Sequence, residues 1–129
     1  MHMVILIPGE PQGKGRPRFW QGHAVTPPST RDYEKLVGNC YYGRKYEGAI
    51  SIEIWAFMKV PKSASKKKRE LMLTNRIRPT KKPDIDNIAK IILDGLQGKA
   101  FEDDKQVVEI RAHKVYSNEP KVAVEVKEI

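Results

Sequence analysis

Lys82-Pro83-Asp84-Ile85-Asp86-Asn87-Ile88-Ala89-Lys90-Ile91-Ile92-Leu93-Asp94-Gly95-Leu96-Gln97-Gly98 sets the frame for the rest of the chain. With Asp86 at zero and about 100° per residue, Ile88, Ala89, Ile91, Ile92 and Leu96 fall on one broad arc. Asp86, Asn87, Lys90, Asp94 and Gln97 fall on the opposite arc, and Leu93 alone breaks the separation. An apolar stripe of this width buries one side of a helix against a core and leaves the other side wet. The spacing therefore predicts a helix over 84–96, with Asp84 as its N-cap and Gly98 as its stop.

Working outward, Ile50, Ile52 and Ile54 alternate with Ser51, Glu53 and Trp55, the period of a strand with one buried face, and Pro61 ends it. Ser63 or Ser65 can cap a short basic helix through about Leu73, followed by a basic loop from Arg76 to Pro83. Downstream, Gln106 to Tyr116 and Lys121 to Lys127 read as strands, and the turn-rich Ser117-Asn118-Glu119-Pro120 between them predicts a hairpin. Upstream, Val4 to Ile7 is a short apolar strand. Ser29, with Asp32 three residues on, reads as the N-cap of a helix running to about Tyr42 and ending near Gly43. The order β, α, β, α, α, β, β predicts an α+β fold: a single domain spanning 1–129, with helices packed on a mixed or antiparallel sheet.

The 129 residues suffice for one domain with a real core, and 40% hydrophobic with 31% charged residues is ordinary for a globular protein. No apolar run is long enough to span a membrane, and the apolar stretch at the start is too short for a signal peptide. The lone Cys40 has no internal disulfide partner, which fits a reducing cytoplasm, and it reads as a small buried apolar residue. His2, His23 and His113 show no metal-ligand spacing. Gly9 and Gly13-Lys14 hint at a phosphate-binding P-loop, but the spacing is one residue short and Gly15 stands where Ser or Thr is required, so the nucleotide reading is rejected.

Charge is distributed unevenly. The net charge is +8, and ten Lys or Arg residues lie between Lys59 and Lys82, with Glu70 the only acid among them. Such a segment offers a field to a polyanion, though a solvated basic surface has the same composition. The basic residues that read as DNA contacts are Lys66, Lys67, Lys68, Arg69, Arg76, Arg78, Lys81 and Lys82, together with Lys14, Arg16 and Arg18 in the Gly- and Pro-rich stretch near the start.

Directly after the basic segment, six of the 16 acidic residues fall between Asp84 and Asp104: Asp84, Asp86, Asp94, Glu102, Asp103 and Asp104. Carboxylates repel DNA, so acid beside base makes little sense for a surface that only binds phosphate. It makes sense where carboxylates hold a cation that in turn meets the phosphate. Magnesium prefers hard oxygen ligands and binds through a few carboxylates plus phosphate oxygens. Metal ions so placed activate water and stabilise a leaving oxygen. Each acid also has a structural account. Asp84 and Asp86 suit the positive end of a helix dipole. Asp86, Lys90 and Asp94 are spaced as an exposed ion-pair ladder. Glu102-Asp103-Asp104 can form a polar turn.

The runs Lys82-Pro83-Asp84-Ile85-Asp86-Asn87-Ile88-Ala89-Lys90, Asp94-Gly95-Leu96 and Asp103-Asp104-Lys105-Gln106-Val107 closely resemble the RusA family of Holliday junction resolvases, which are bacterial and phage endonucleases. The pattern is Pro-Asp-x-Asp-Asn, a lysine four residues after the second Asp, a helix, Gly, then Asp-Asp-x-Gln-Val; Gly13–Arg18 and Thr26–Glu34 match more loosely. The resemblance implies a magnesium-dependent homodimer, with manganese as a substitute metal, that makes paired symmetric cuts in four-way junctions during DNA recombination and repair. It places the metal-binding and catalytic carboxylates on Asp84, Asp86 and Asp104 and the important lysine on Lys90, with Asp94, Asp103 and Gln106 in support. It implies a cytoplasmic, nucleoid-associated protein with neither nucleotide cofactor nor membrane partner. Two other readings share the basic segment: a non-catalytic branched-DNA-binding protein of phage origin, and a general metal nuclease acting on flaps or RNA.

Overall fold

The computed structural model describes residues 2–15 and 18–129. Its elements run β1 (His2–Pro8), β2 (Arg18–Trp20), β3 (His23–Val25), α1 (Pro28–Cys40), β4 (Ile50–Lys59), α2 (Lys66–Leu73), α3 (Ile85–Leu96), a short 3-10 turn (Asp104–Gln106), β5 (Val107–Ser117) and β6 (Lys121–Glu128). A four-stranded mixed sheet in the order β1-β6-β4-β5 carries the fold, with β2 and β3 forming a separate two-stranded ribbon. The α+β expectation holds.

The alternating isoleucines put β4 at the centre. Ile50, Ile52, Ile54, Ala56 and Met58 are buried on one face, and the strand pairs on both sides, antiparallel with β6 and parallel with β5. Val122, Val124 and Val126 of β6, and Ile5 and Ile7 of β1, continue the same buried face. Helices α1 and α3 complete this core with Tyr33, Val37, Ile88, Ile91, Ile92 and Leu96. Each such aliphatic side chain contributes roughly 1.5–3 kcal/mol on burial, so the stripe read from the sequence is what holds α3 to the sheet.

The two helices meet at a close point. A Cβ on Gly95 would lie 2.7 Å from the Val37 Cβ and 2.9 Å from the Glu34 carbonyl oxygen. Only glycine lets α1 and α3 approach this closely, and that approach carries Glu34 of α1 alongside Asp94 of α3.

Two sequence expectations are corrected. Strands β5 and β6 do not form a hairpin with each other; β4 lies between them. The link after Ser117 passes the end of β4, where the Val60 N–H donates to the Ser117 carbonyl at 3.1 Å. Crossing one intervening strand means covering about 9.6 Å, two strand spacings. The four residue steps from Ser117 to Lys121 reach roughly 13 Å. A turn-rich link of that length serves either topology, and the partner is chosen by burial. Ser29 is also not the N-cap of α1. Pro27 takes that place with no side-chain cap, and Pro28 opens the helix, where its missing N–H costs nothing. The buried Thr30 hydroxyl instead accepts from the Gly15 N–H at 3.1 Å, tying the N-terminal loop to α1. Helix α2 follows the reading, with Ser65 as its N-cap accepting from the Lys68 N–H.

Candidate active site

The site is assembled at the N-terminal half of α3, at the strand edge beside it, and on the turn that leads into that strand. Ile110 and Ala112 of β5 stand opposite Ile52 and Ile54 of β4, on the helix-bearing face of the sheet. Because β5 is the edge strand, this apolar surface extends past α3 and leaves a cleft between strand and helix. The cleft has a volume of about 540 Å³ and is lined by Ile85, Asp86, Ala89, Lys90, Leu93, Asp94, Asp104, Ile110 and Ala112. Leu93, the one apolar residue on the polar arc of the helix, is a wall of this cleft. A shift of register between Ile50 and Ser51 accommodates an extra residue at the start of β5. Bulges of this kind bend a strand and re-aim its side chains, here next to Asp104.

Asp86 and Asp104, far apart in sequence, therefore share one cavity. Both are exposed, and among the described residues neither forms an ion pair. The Asp86 carboxylate accepts from the Asn87 N–H at 3.0 Å. Asp84 occupies the N-cap position of α3 without making a side-chain cap. It lines the neighbouring cleft, of about 510 Å³, with Pro11, Gln12, Gly13, Lys14, Lys82, Pro83 and Asn87. The structure thus brings two of the three expected carboxylates together and sets the third around the helix start. Among the described residues no group of three or more His, Cys, Asp or Glu side chains is gathered as a metal cage. Magnesium needs no such cage, since one or two carboxylates plus substrate phosphate are its usual protein complement.

The supporting residues have clear jobs. Gln106 closes a capping box: its side-chain oxygen accepts from the Glu102 and Asp103 N–H groups at 3.0 and 3.2 Å. Its amide nitrogen donates to the Tyr46 and Gly48 carbonyls at 2.9 and 3.0 Å. All of its usual hydrogen-bonding capacity goes into fixing the turn that presents Asp104. Asp103 accepts from the Lys105 N–H at 2.9 Å, and this backbone bond holds its carboxyl below the usual carboxylate range. Lys90 is well exposed on the rim of the cavity, 4.0 Å from Asp94. Of the expected i, i+4 ladder, the Lys90–Asp94 step is present.

Lys14 has a role that its position in a Gly-rich loop did not disclose. Its ammonium group lies 2.5 Å from Glu34 and 2.9 Å from Asp94, bridging α1 and α3 beside their close crossing. Burial works against its charge, but the hydrogen bonds it donates to both carboxylates prevail and raise its pKa. The Lys14 N–H also donates to the Asn87 carbonyl at 2.9 Å. Gly13 packs so closely on the start of α3 that a Cβ there would lie 3.0 Å from both Asn87 and Pro83. The loop is thereby clamped against the end of α3 that carries Asp84 and Asp86.

The other basic residues lie outward. Lys66, Lys67 and Lys68 are exposed on α2, which packs against β5, while the half-buried Arg69 reaches the Pro61 carbonyl at 3.5 Å. Arg76, Arg78, Lys81 and Lys82 are exposed, and Lys82 reaches the Asp84 cleft. Arg16 lies outside the described residues, and Arg18 is placed as backbone in β2. His113 pairs with Glu53 at 2.8 Å and stacks on Trp55 with ring centroids 3.8 Å apart, so it is engaged outside the Asp86–Asp104 cavity. Cys40 is half-buried against the core, and burial pushes its thiol pKa up, away from nucleophilic use.

Comparison with known proteins gives the family. The family model for endodeoxyribonuclease RusA matches residues 8–127. The chain belongs to the RusA family. The uncharacterized protein YqaN of Bacillus subtilis is 34% identical over 135 residues, covering 97% of this chain and 95% of that protein. RusA is an endodeoxyribonuclease family that acts on branched DNA, and Asp86, Lys90, Asp94 and Asp104 of the pattern quoted above line the shared cavity. No helix is long and apolar enough to cross a membrane among the described residues.

Proposed function

We propose that the protein is a metal-dependent, structure-selective endodeoxyribonuclease that resolves four-way DNA junctions by paired symmetric nicks, acting as a homodimer in recombination and repair. The observation that carries this reading is the shared cavity of Asp86 and Asp104. Two exposed carboxylates, free of ion pairs among the described residues, stand over an apolar floor, with Lys90 at the rim and a basic segment alongside. Asp94 is already engaged by Lys14, whereas these two have no cationic partner among the described residues.

Asp86 and Asp104 would hold magnesium, with Asp84 contributing from the adjoining cleft and manganese as a substitute. When bound, the metal supplies an activated water and stabilises the leaving oxygen. The chain supplies the rest. The capping box of Gln106 fixes Asp104, and the buried stripe of α3 fixes Asp86, so the carboxylates are positioned before DNA arrives. Lys90 meets a phosphate oxygen. The basic residues of α2 and the 76–82 loop hold the backbone by charge, which makes binding salt-dependent. A junction has two-fold symmetry and needs two cuts, and a two-fold dimer provides two sites.

Incubation of a synthetic four-way junction with the protein in magnesium and then in EDTA, with linear duplex and RNA alongside, tests the reading. Paired symmetric nicks confined to the junction and to the metal-containing reaction are expected. Binding without cutting, with manganese also supplied, would replace it with a non-catalytic branched-DNA-binding role; equal cutting of linear duplex or RNA would leave a general metal nuclease.

A further inference from the structure

The β2–β3 ribbon stands apart from the sheet and carries two large uncovered rings. Phe19 is 79% exposed and Trp20 is 69% exposed, although tryptophan and phenylalanine are expensive to leave in water. The ribbon is a tight hairpin with Phe19 opposite Ala24 and Trp20 opposite His23. Gln21 and Gly22 turn it with φ of 51° and 80°, as in the mirror-image turns that suit twisted hairpins. Adjacent strand residues point to opposite faces, so Phe19 and Trp20 show one ring on each side of the ribbon. Among the described residues, no other element covers either ring.

Its location gives these rings a context. The ribbon emerges from the same loop that clamps the start of α3, and Gly13 and Lys14 of that loop line the cleft holding Asp84 and Lys82. Four residue steps separate Lys14 from Arg18, so the base of the ribbon lies within about 14 Å of that cleft. At its other end the ribbon leads into α1, whose Thr30 is tied back to Gly15. Both ends are therefore anchored beside the site.

We propose that this hairpin is a stacking element that takes unpaired or unstacked DNA bases at the branch point, one ring on each face. The proposal rests on the DNA-cutting reading and extends it to how the branch is recognised. A second copy of the chain is a poorer occupant, because strands of three residues fall far short of the roughly 800 Å² per partner that a stable interface buries. Bases suit it: exposed aromatic rings are the common equipment for binding unpaired bases without sequence preference.

The chain has two tryptophans, so a Trp55→Phe variant leaves Trp20 as the sole indole reporter. In EDTA, its emission is followed on titration with a four-way junction, with oligothymidylate, and with blunt linear duplex. The junction and the oligothymidylate should quench it, and the blunt duplex should not. In parallel, a Phe19→Ala/Trp20→Ala variant, checked for wild-type circular dichroism, should lose junction affinity on the order of tenfold per ring while duplex affinity stays unchanged. Unchanged Trp20 emission beside normal junction cutting would overturn the hairpin proposal alone. Quenching by oligothymidylate would support it even if junction cutting failed, which separates it from the resolvase reading. A concentration-dependent emission shift without DNA would overturn it in favour of self-association.

Discussion

Helices α2 and α3 are both short and both adjoin β5, yet they are held by different forces. Helix α3 buries Ile88, Ile91, Ile92, Gly95 and Leu96, whereas α2 buries none of its residues. Helix α2 is secured by the Ser65 cap and by packing of its edge on β5. Asp86 stands on the helix that the core makes rigid, and Lys66, Lys67 and Lys68 on the helix that solvent surrounds. The division follows from what each charge must do. Under the proposed function, a carboxylate that shared a cation with Asp104 would have to be placed to a fraction of an ångström. A lysine that meets the DNA backbone acts through a long flexible arm and a field, for which position matters little.

Graded effects are expected from substitutions in and around the two helices. The largest effect is expected from Asp86→Asn: junction cutting should fall by a factor on the order of a thousand, about 4 kcal/mol in the barrier, with junction binding retained. Gel-shift and cleavage assays on one preparation check this, and normal turnover would break the contrast between the helices. Next, replacing Lys66, Lys67 and Lys68 together by alanine should weaken junction binding and reduce the slope of log affinity against log salt by about 0.9 for each phosphate the variant no longer neutralises. Thermal stability should hold, and higher enzyme concentration should recover cutting. Gly95→Ala probes the rigid helix from its back. The added Cβ meets Val37 and the Glu34 backbone, so a loss of about 1–3 kcal/mol is expected in urea unfolding. A single Lys67→Ala should stay within about 0.5 kcal/mol. An effect of the opposite sign concerns Tyr33 of α1, whose hydroxyl is buried without a hydrogen-bond partner among the described residues and whose pKa burial raises to about 12. Removing that oxygen in Tyr33→Phe should leave stability unchanged or improve it by up to about 1 kcal/mol, measured by the same unfolding curve.

How far the sequence could be read varied with the length and periodicity of the signal. Twelve residues of period 3.6 identified α3 and its buried face, and Leu93, the exception on that wheel, turned out to line the cavity. The Ser65 cap was legible because its hydrogen bond is local. The β2–β3 ribbon was missed because strands of three residues are too short for alternation to register, and Gln-Gly is a weaker turn signal than Asn-Gly. Lys14 read as a phosphate contact because a Gly-rich loop does not disclose which carboxylates the fold will bring to it; Glu34 is 20 residues away and Asp94 is 80.

By itself, the sequence determined the content of the protein: one α+β domain, its buried stripes, the basic segment, and the acidic pattern of the RusA family. These rest on periodicity, composition and short-range spacing, all of which are properties of neighbouring residues. Tertiary structure alone decided that β4 separates β5 from β6, that Asp86 and Asp104 share a cavity while Asp84 faces the next cleft, and that Lys14 bridges two helices. Alternation tells a strand which face to bury but not which neighbour to pair with, and a carboxylate's partners are set by what the packed core carries beside it.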